Sequence, residues 1–419
     1  MDTMQSVLGS HHAAVSKHTH TKTNLSVFVD TRAATAKPHT KSLSAFRQDN
    51  HDRKVNLSGG ELKKRISADP TLCSPSPSSP FGLAEFITRA TAAALGDNSS
   101  AIVENRVLGV QTVGFTGAVR LGAELLKHWY NGHACHAPVY LSSPCDESLA
   151  GIFQAAGMAD VRQYRYWDAG RRGVCVDHLL EDLGRVPERS IVVLSASAHC
   201  PTGADLSREH WALITQLMMS RQLFPFLLLP AQGLCCGDLE RDAWPVQYCQ
   251  SLGMELLCAQ SFSHCFGLYG EEVGHLVCVL KQSSVLSAVR SQTEKLIEAL
   301  WARPPVGGAR IVATVLSNPA HLAEWQEGVR DMAARCMLVR ERLRDKLRLL
   351  GTPGCWDHLT QQTGLYCCTG LDVEQVEYLS KRKHIYLLPN GCLNVSAVHS
   401  GNLDYITESL HEALSSPLS

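Results

Sequence analysis

The chain has 419 residues, 45% hydrophobic and 19% charged, with 39 basic against 40 acidic side chains. This is the composition of an ordinary soluble globular protein, longer than one hydrophobic core usually serves, so two domains are expected. The near-zero net charge gives no reason to expect nucleic acid or an anionic membrane as partner, and no apolar stretch approaches the roughly 20 residues that cross a bilayer.

Residues 1–42 are rich in His, Thr, Ser and Lys and lack apolar periodicity, which predicts a disordered or loosely docked N-terminal arm. The segment has no apolar core for secretion, and Arg32 is its only arginine, unlike a mitochondrial transit peptide; a cytoplasmic location is expected. From Ser74 to Pro80 the chain reads Ser-Pro-Ser-Pro-Ser-Ser-Pro, which excludes a helix.

The middle of the chain alternates helix and strand patterns, as a parallel sheet covered on both faces requires. Val139–Leu141, Ile191–Leu194, Phe226–Leu229 and Leu276–Leu280 are short apolar runs typical of buried strands. Thr116 is expected to open a helix with Leu121, Leu125 and Trp129 on one face and Gly132 as its stop. Trp325, Val329, Met332, Cys336, Val339, Leu343, Leu347 and Leu350 keep helical spacing, and Gly351 closes that long helix. His384–Val398 reads as two strands around Pro389-Asn390-Gly391, followed by a final helix from Asn402. The expected architecture is α/β: a large, doubly wound, mostly parallel domain over residues 81–324 and a smaller α+β domain from 43–80 and 325–419.

The 16 cysteines are scattered without C-x-x-C spacing and read as reduced thiols. His133-Ala134-Cys135-His136 lacks a second ligand pair at zinc spacing and reads as a loop, so no metal site is assigned. His199-Cys200 and His264-Cys265 are adjacent pairs, which rarely point at each other, so neither is taken as a thiol–imidazole couple.

Several long, collinear runs resemble one family. They include Trp129-Tyr130-Asn131-Gly132, Tyr164-Arg165-Tyr166-Trp167-Asp168, Pro201-Thr202-Gly203, Ser261-Phe262-Ser263-His264-Cys265-Phe266-Gly267-Leu268-Tyr269 and Leu316-Ser317-Asn318-Pro319. From about Leu43 to the C-terminus the chain is similar to the cytoplasmic aspartate aminotransferases and their aspartate aminotransferase-like paralogue, within the class I pyridoxal-phosphate enzymes. The resemblance implies fold type I, a homodimer whose N-terminal arm crosses to the partner, pyridoxal phosphate as cofactor, and an amino-acid or dicarboxylate substrate.

The same resemblance exposes where this chain departs. His264 stands at the lysine that forms the imine with the cofactor, and an imidazole ring nitrogen cannot form one, although it can carry a proton. Gly114, Thr116 and Ser261 match the phosphate cradle, where a helix N-terminus holds an anion, yet Phe115 replaces a glycine and Glu272 an arginine. His199 matches a residue behind the cofactor ring, whose alternative is a satisfied core histidine. Leu228, Ala231, Cys200 and Asp146 stand at the ring-binding aspartate, tyrosine, asparagine and tryptophan, and Cys392 and Glu298 at the two substrate arginines. A family tyrosine falls near Pro77, in a stretch between Gly60 and Gly82 that is shorter than the family by about one short helix. Backbone-shaping motifs are kept while chemistry is removed, the pattern of a pseudoenzyme. The alternative is an altered pyridoxal-phosphate enzyme in which His264 shuttles protons.

Overall fold

The computed structural model describes residues 48–52, 55–56, 79–130 and 137–415. The expected arm, residues 74–78 of the proline-rich run, Gly132 and His133–His136 lie outside the described residues.

A seven-stranded sheet organises the molecule. Its strands are β1 (Val107–Val113), β2 (Val139–Ser143), β3 (Val161–Arg165), β4 (Ile191–Ser195), β5 (Phe224–Leu229), β6 (Leu256–Ser261) and β7 (Val273–Val279), hydrogen-bonded in the order β1-β7-β6-β5-β4-β2-β3. The strands from β6 through β3 run parallel, and β7 is antiparallel to both of its neighbours. The α/β expectation therefore holds for this sheet.

Alternate residues of each strand enter different apolar layers, because successive side chains point to opposite faces. Ile191 and Val193 pack in one layer with Leu141, Phe226 and Leu257, while Val192 and Leu194 pack in the other with Leu227, Leu229 and Cys258. Helix α1 (Gly114–Trp129) covers the first layer through Leu121 and Leu125. It starts two residues before Thr116 because the chain leaves β1 directly into it at Gly114, whose φ is +66°. It ends at Trp129 with Tyr130 as its cap, ahead of the predicted glycine stop, where the chain turns extended at ψ 123°.

The long helix α4 spans Pro319–Leu349, opened by Asn318, whose side chain accepts from the backbone N–H groups of Ala320 and His321. Gly351 follows it with φ +66°, a conformation that suits glycine. Val329, Cys336, Leu343 and Leu347 pack with the C-terminal elements and with Phe262 and Phe266. The two strands on either side of Pro389 do not pair with each other: Ile385–Tyr386 lies parallel to Val55–Asn56, and Cys392–Asn394 lies antiparallel to Tyr366–Cys368. The last helix is Leu403–Ser415.

Candidate functional site

A cavity of about 160 Å³ lies off the carboxyl ends of β2, β4 and β5, which contribute Ser142, Ser195 and Leu228 to its wall. Open α/β sheets place their ligand crevices at this end of the strands. The cavity also gathers residues far apart in sequence: Phe115 from the first turn of α1, Asp146 at the start of α2 (Glu147–Ala155), His199 and Cys200, Ala231, His264 and Tyr366. The family resemblance had placed all but Tyr366 of these around one ligand.

His264 is held by its neighbours on both sides. After β6 the chain turns, with the Leu268 N–H donating to the Ser263 carbonyl at 2.8 Å and Gly267 at φ +65°. Phe262 meets Phe86 edge-on at 5.3 Å, Phe266 stacks on Trp325 at 4.3 Å, and Trp325 Nε1 donates to the Cys265 carbonyl at 3.1 Å. The His264 ring meets Tyr269 edge-on at 5.3 Å, and its Nδ1 is buried with no protein partner among the described residues. Burial holds the ring below its ordinary pKa, and contact with the Pro230 carbonyl opposes that only in part. At neutral pH it is therefore a free base.

His199 has the opposite character. Its Nδ1 is hydrogen-bonded to Thr202 Oγ1 at 2.8 Å and its Nε2 to Ser142 Oγ at 2.9 Å, and its ring stacks on Tyr166 at 3.9 Å. Burial lowers its pKa to about 3. Both ring nitrogens are thus satisfied within the chain, although the residue also lines the cavity. The Cys200–Pro201 peptide that follows is cis. Burial pushes the Cys200 thiol far up and the Cys145 thiol to about 11, so neither supplies a thiolate. Cys265 Sγ points at the Phe262 carbonyl rather than at its histidine neighbour.

Two polar groups that had no local signature brace the site. Asp205 accepts from the N–H groups of Ala198 and His199 at 3.1 and 2.9 Å and from Thr363 Oγ1 at 2.7 Å. Burial raises its pKa against these hydrogen bonds. Arg340 of α4 is only 1% exposed and donates through Nη2 to the carbonyls of Thr363, Gly364 and Tyr366 at 3.0, 2.8 and 2.8 Å. Together they tie the Thr363–Tyr366 segment to the cavity wall.

Gly114, Thr116 and Ser261 are not brought into the cavity wall. Thr116 is exposed, and Ser261 is buried with its Oγ accepting from the Ser263 N–H at 3.3 Å. The N-terminus of α1 faces Glu272, whose Oε2 lies where it would clash with a Cβ on Gly114. A carboxylate there competes with a phosphate for the same helix end. Glu298 is exposed on α3 (Leu286–Leu300), and Cys392 is fully buried. Among the described residues, neither lysine nor arginine lines the cavity. The described side chains lining the cavity do not fit pyridoxal phosphate: among them there is no amine, no cation for its phosphate and no carboxylate at Leu228.

A family profile for aminotransferase class I and II matches residues 78–410. The chain is 45% identical over 391 residues to the cytoplasmic aspartate aminotransferase of Gallus gallus, an alignment covering 89% of this chain and 95% of the relative. It is 38% identical over 409 residues, 93% of this chain and 94% of the relative, to a Homo sapiens protein named provisionally as cytoplasmic aspartate aminotransferase 2. Among solved structures, an aromatic-amino-acid aminotransferase from Burkholderia pseudomallei covalently bound to pyridoxal phosphate superposes with TM-score 0.87 at 30% identity, covering 93% of this chain and 100% of that one. The cytoplasmic aspartate aminotransferase of Saccharomyces cerevisiae gives TM-score 0.87 at 28% identity over 93% and 98% of the two chains. Sequence and fold agree over nearly the whole length, and the chain belongs to the class I and II aminotransferases, similar in particular to the cytoplasmic aspartate aminotransferases.

Proposed function

We propose that this protein is an aspartate aminotransferase homologue that has lost transamination and keeps the fold for a binding role. The observation that carries the reading is His264. It stands where the family resemblance puts the cofactor lysine, lines the cavity with its pKa lowered by burial, and shares that lining with Leu228, Ala231, Phe115 and Cys200, with no cation among the described residues there. An imidazole cannot supply the imine-forming amine, and a buried anion without a partner is costly. On the same reading, residues 81–324 form the larger domain, 43–80 and 325–419 the smaller one, and the protein is a cytoplasmic homodimer. Among the described residues no helix is long and apolar enough to cross a membrane.

The test is a coupled assay with aspartate and 2-oxoglutarate, together with an absorbance spectrum of protein purified in the presence of pyridoxal phosphate. No turnover and no bound-cofactor band are expected. The unpartnered Nδ1 of His264 supports a second reading, a cofactor enzyme in which that ring moves a proton. A bound-cofactor band with turnover of any amino acid would favour it.

A further inference from the structure

The geometry points to Cys368 and Cys392 as a peroxide-responsive pair, in which Cys368 is oxidised first and Cys392 then closes a cross-strand disulfide. This modification site is independent of whether the chain binds pyridoxal phosphate.

Register brings the two side chains together. Tyr366–Cys368 pairs antiparallel with Cys392–Asn394, and Cys368 lies directly opposite Cys392. The ladder bonds fall at alternate positions: the Val395 N–H donates to the Leu365 carbonyl at 2.8 Å, and the Thr369 N–H to the Gly391 carbonyl at 3.2 Å. Bonded and non-bonded pairs alternate along such a ladder, so Cys368 and Cys392 form a non-bonded pair. Their backbone groups accordingly turn away from each other. Gln362 Oε1 accepts from the Cys368 N–H at 2.7 Å, and its Nε2 donates to the Cys368 carbonyl at 3.0 Å. The Cys392 carbonyl accepts from the Leu388 N–H at 2.9 Å, and the Cys392 N–H donates to Asn390 Oδ1 at 3.2 Å. A non-bonded pair holds its Cα atoms about 4.5 Å apart with both side chains on one face, inside the roughly 4.4–6.8 Å that a disulfide spans. Cys367, opposite Leu393, points to the other face.

The surroundings divide the roles. A hydrogen bond from Cys392 holds the Cys368 thiol below its ordinary pKa; burial opposes this, and the Gly370 backbone and the Arg172 guanidinium reinforce it. That same hydrogen bond, together with burial, pushes the Cys392 thiol up. Arg172 is fixed in place: it lies against Gly370, stacks over Trp356 at 4.9 Å and donates to the Cys355 carbonyl at 3.3 Å. Of the two cysteines only Cys368 keeps any exposed surface, 4%. A small oxidant therefore meets the more acidic thiol first, with the second thiol already in contact behind it.

The chemistry balances with one peroxide. The Cys368 thiolate attacks a peroxide oxygen, forming an S–O bond as the O–O bond breaks and hydroxide leaves. The Cys392 sulfur then attacks the sulfenic sulfur, so that the S–S bond forms and the S–O bond breaks. The two hydroxides take up the two thiol protons as water, and the two thiols have lost two electrons to the peroxide. The bond closes the ladder that carries Tyr366 into the cavity wall.

The experiment treats the full-length protein with a small excess of hydrogen peroxide, blocks the remaining thiols with N-ethylmaleimide in denaturant, and maps tryptic peptides by mass spectrometry. Trypsin cuts between the partners at Lys381, Arg382 and Lys383, and Cys392 is the only cysteine after Lys383. A peptide joining Cys368 to Cys392 is expected, two hydrogens lighter than its parts and separated by dithiothreitol, with fragmentation placing the bond at Cys368 rather than Cys367. Cys392→Ser should stop the reaction at a Cys368 sulfenic acid, captured by dimedone, and Cys367→Ser should leave the link intact, with both folds checked by thermal melting. The result on the unaltered protein needs no variant. Free thiols at both positions after peroxide, a Cys367–Cys368 bond in place of the link, or a sulfenic acid found at Cys392 and not at Cys368 would each overturn the inference.

Discussion

The carboxylate of Glu272 lies against Gly114, close enough to clash with a Cβ on that glycine, and the Gly114 N–H donates to the Glu272 backbone carbonyl at 2.6 Å. Both residues have positive φ, +66° and +47°. An acidic side chain thus sits at the helix end that the fold would otherwise offer to an anion, the placement a helix dipole favours.

Gly114→Ala should destabilise the protein through its backbone and not through Glu272. The left-handed backbone costs an L-residue about 1–2 kcal/mol, while the approach of Glu272 is relieved by rotating the end of a flexible side chain. Urea denaturation should show a loss of about 1–2 kcal/mol for Gly114→Ala, changed little when Glu272→Ala is added. Full recovery in the double variant would show that the carboxylate, and not the backbone, sets the cost.

Arg340 is the second test of packing. Its Nη2 serves three carbonyls of the Thr363–Tyr366 segment from a buried position. Arg340→Met keeps much of the volume but strands those acceptors, at a cost of about 2–4 kcal/mol. A loss below about 1 kcal/mol in the same denaturation assay would mean that water or a shifted backbone satisfies them.

Acid should unfold this protein early. Burial lowers the pKa of His199 and His275 to about 3 and of His358 to about 4. Each ring is neutral when folded and takes up a proton near pH 6.5 when unfolded, so the unfolded state binds more protons between about pH 6.5 and 3. Stability is then complete above pH 6.5 and falls as pH drops, by about 1.4 kcal/mol per unit for each histidine. Asp205 and Asp242, whose pKa values burial raises, act with the opposite sign near the carboxylate range. A difference measurement removes them. Between pH 6 and 4 the unaltered protein should lose about 2–3 kcal/mol more than His199→Gln. Parallel pH profiles would show that His199 titrates normally in the fold.

How much of this was legible depends on where each residue's partner lies. Strands such as Ile191–Ser195 and Phe224–Leu229 were readable because both faces of the sheet are buried, which makes the apolar run continuous. The edge strand Val107–Val113 was missed, since Gly109, Gln111 and Thr112 interrupt its apolar pattern. Gln111 earns its place only in three dimensions, accepting from the Leu83 N–H at 2.9 Å and donating to the Pro305 carbonyl at 2.6 Å. Arg340 sits on the same stripe of α4 as Cys336, Leu343 and Leu347, but a charge there carries no local sign that it is buried. The strands around Pro389 were legible as strands and not as a pairing, because their partners lie at Val55–Asn56 and Tyr366–Cys368. Cavity residues emerged as a group through likeness to a family; Asp205 and Tyr366, which that likeness did not single out, emerged only from the fold.

Restoring lysine at His264 should not by itself restore transamination. The change returns a primary amine to the cavity and leaves every other obstacle in place. Phe115 still stands in the first turn of α1, Glu272 still holds the helix end, and Leu228 still presents an apolar side chain, 5% exposed, to the cavity. Burial in a cavity whose described lining holds no cation and one carboxylate, the exposed Asp146, also favours the uncharged amine. Groups that act as a unit in catalysis are strongly non-additive, and one restoration among several losses recovers little. In the coupled assay with aspartate and 2-oxoglutarate, both the unaltered protein and His264→Lys should remain at background. Robust turnover by His264→Lys would mean that one residue alone separates this chain from an active enzyme, and turnover by the unaltered protein would end the pseudoenzyme proposal.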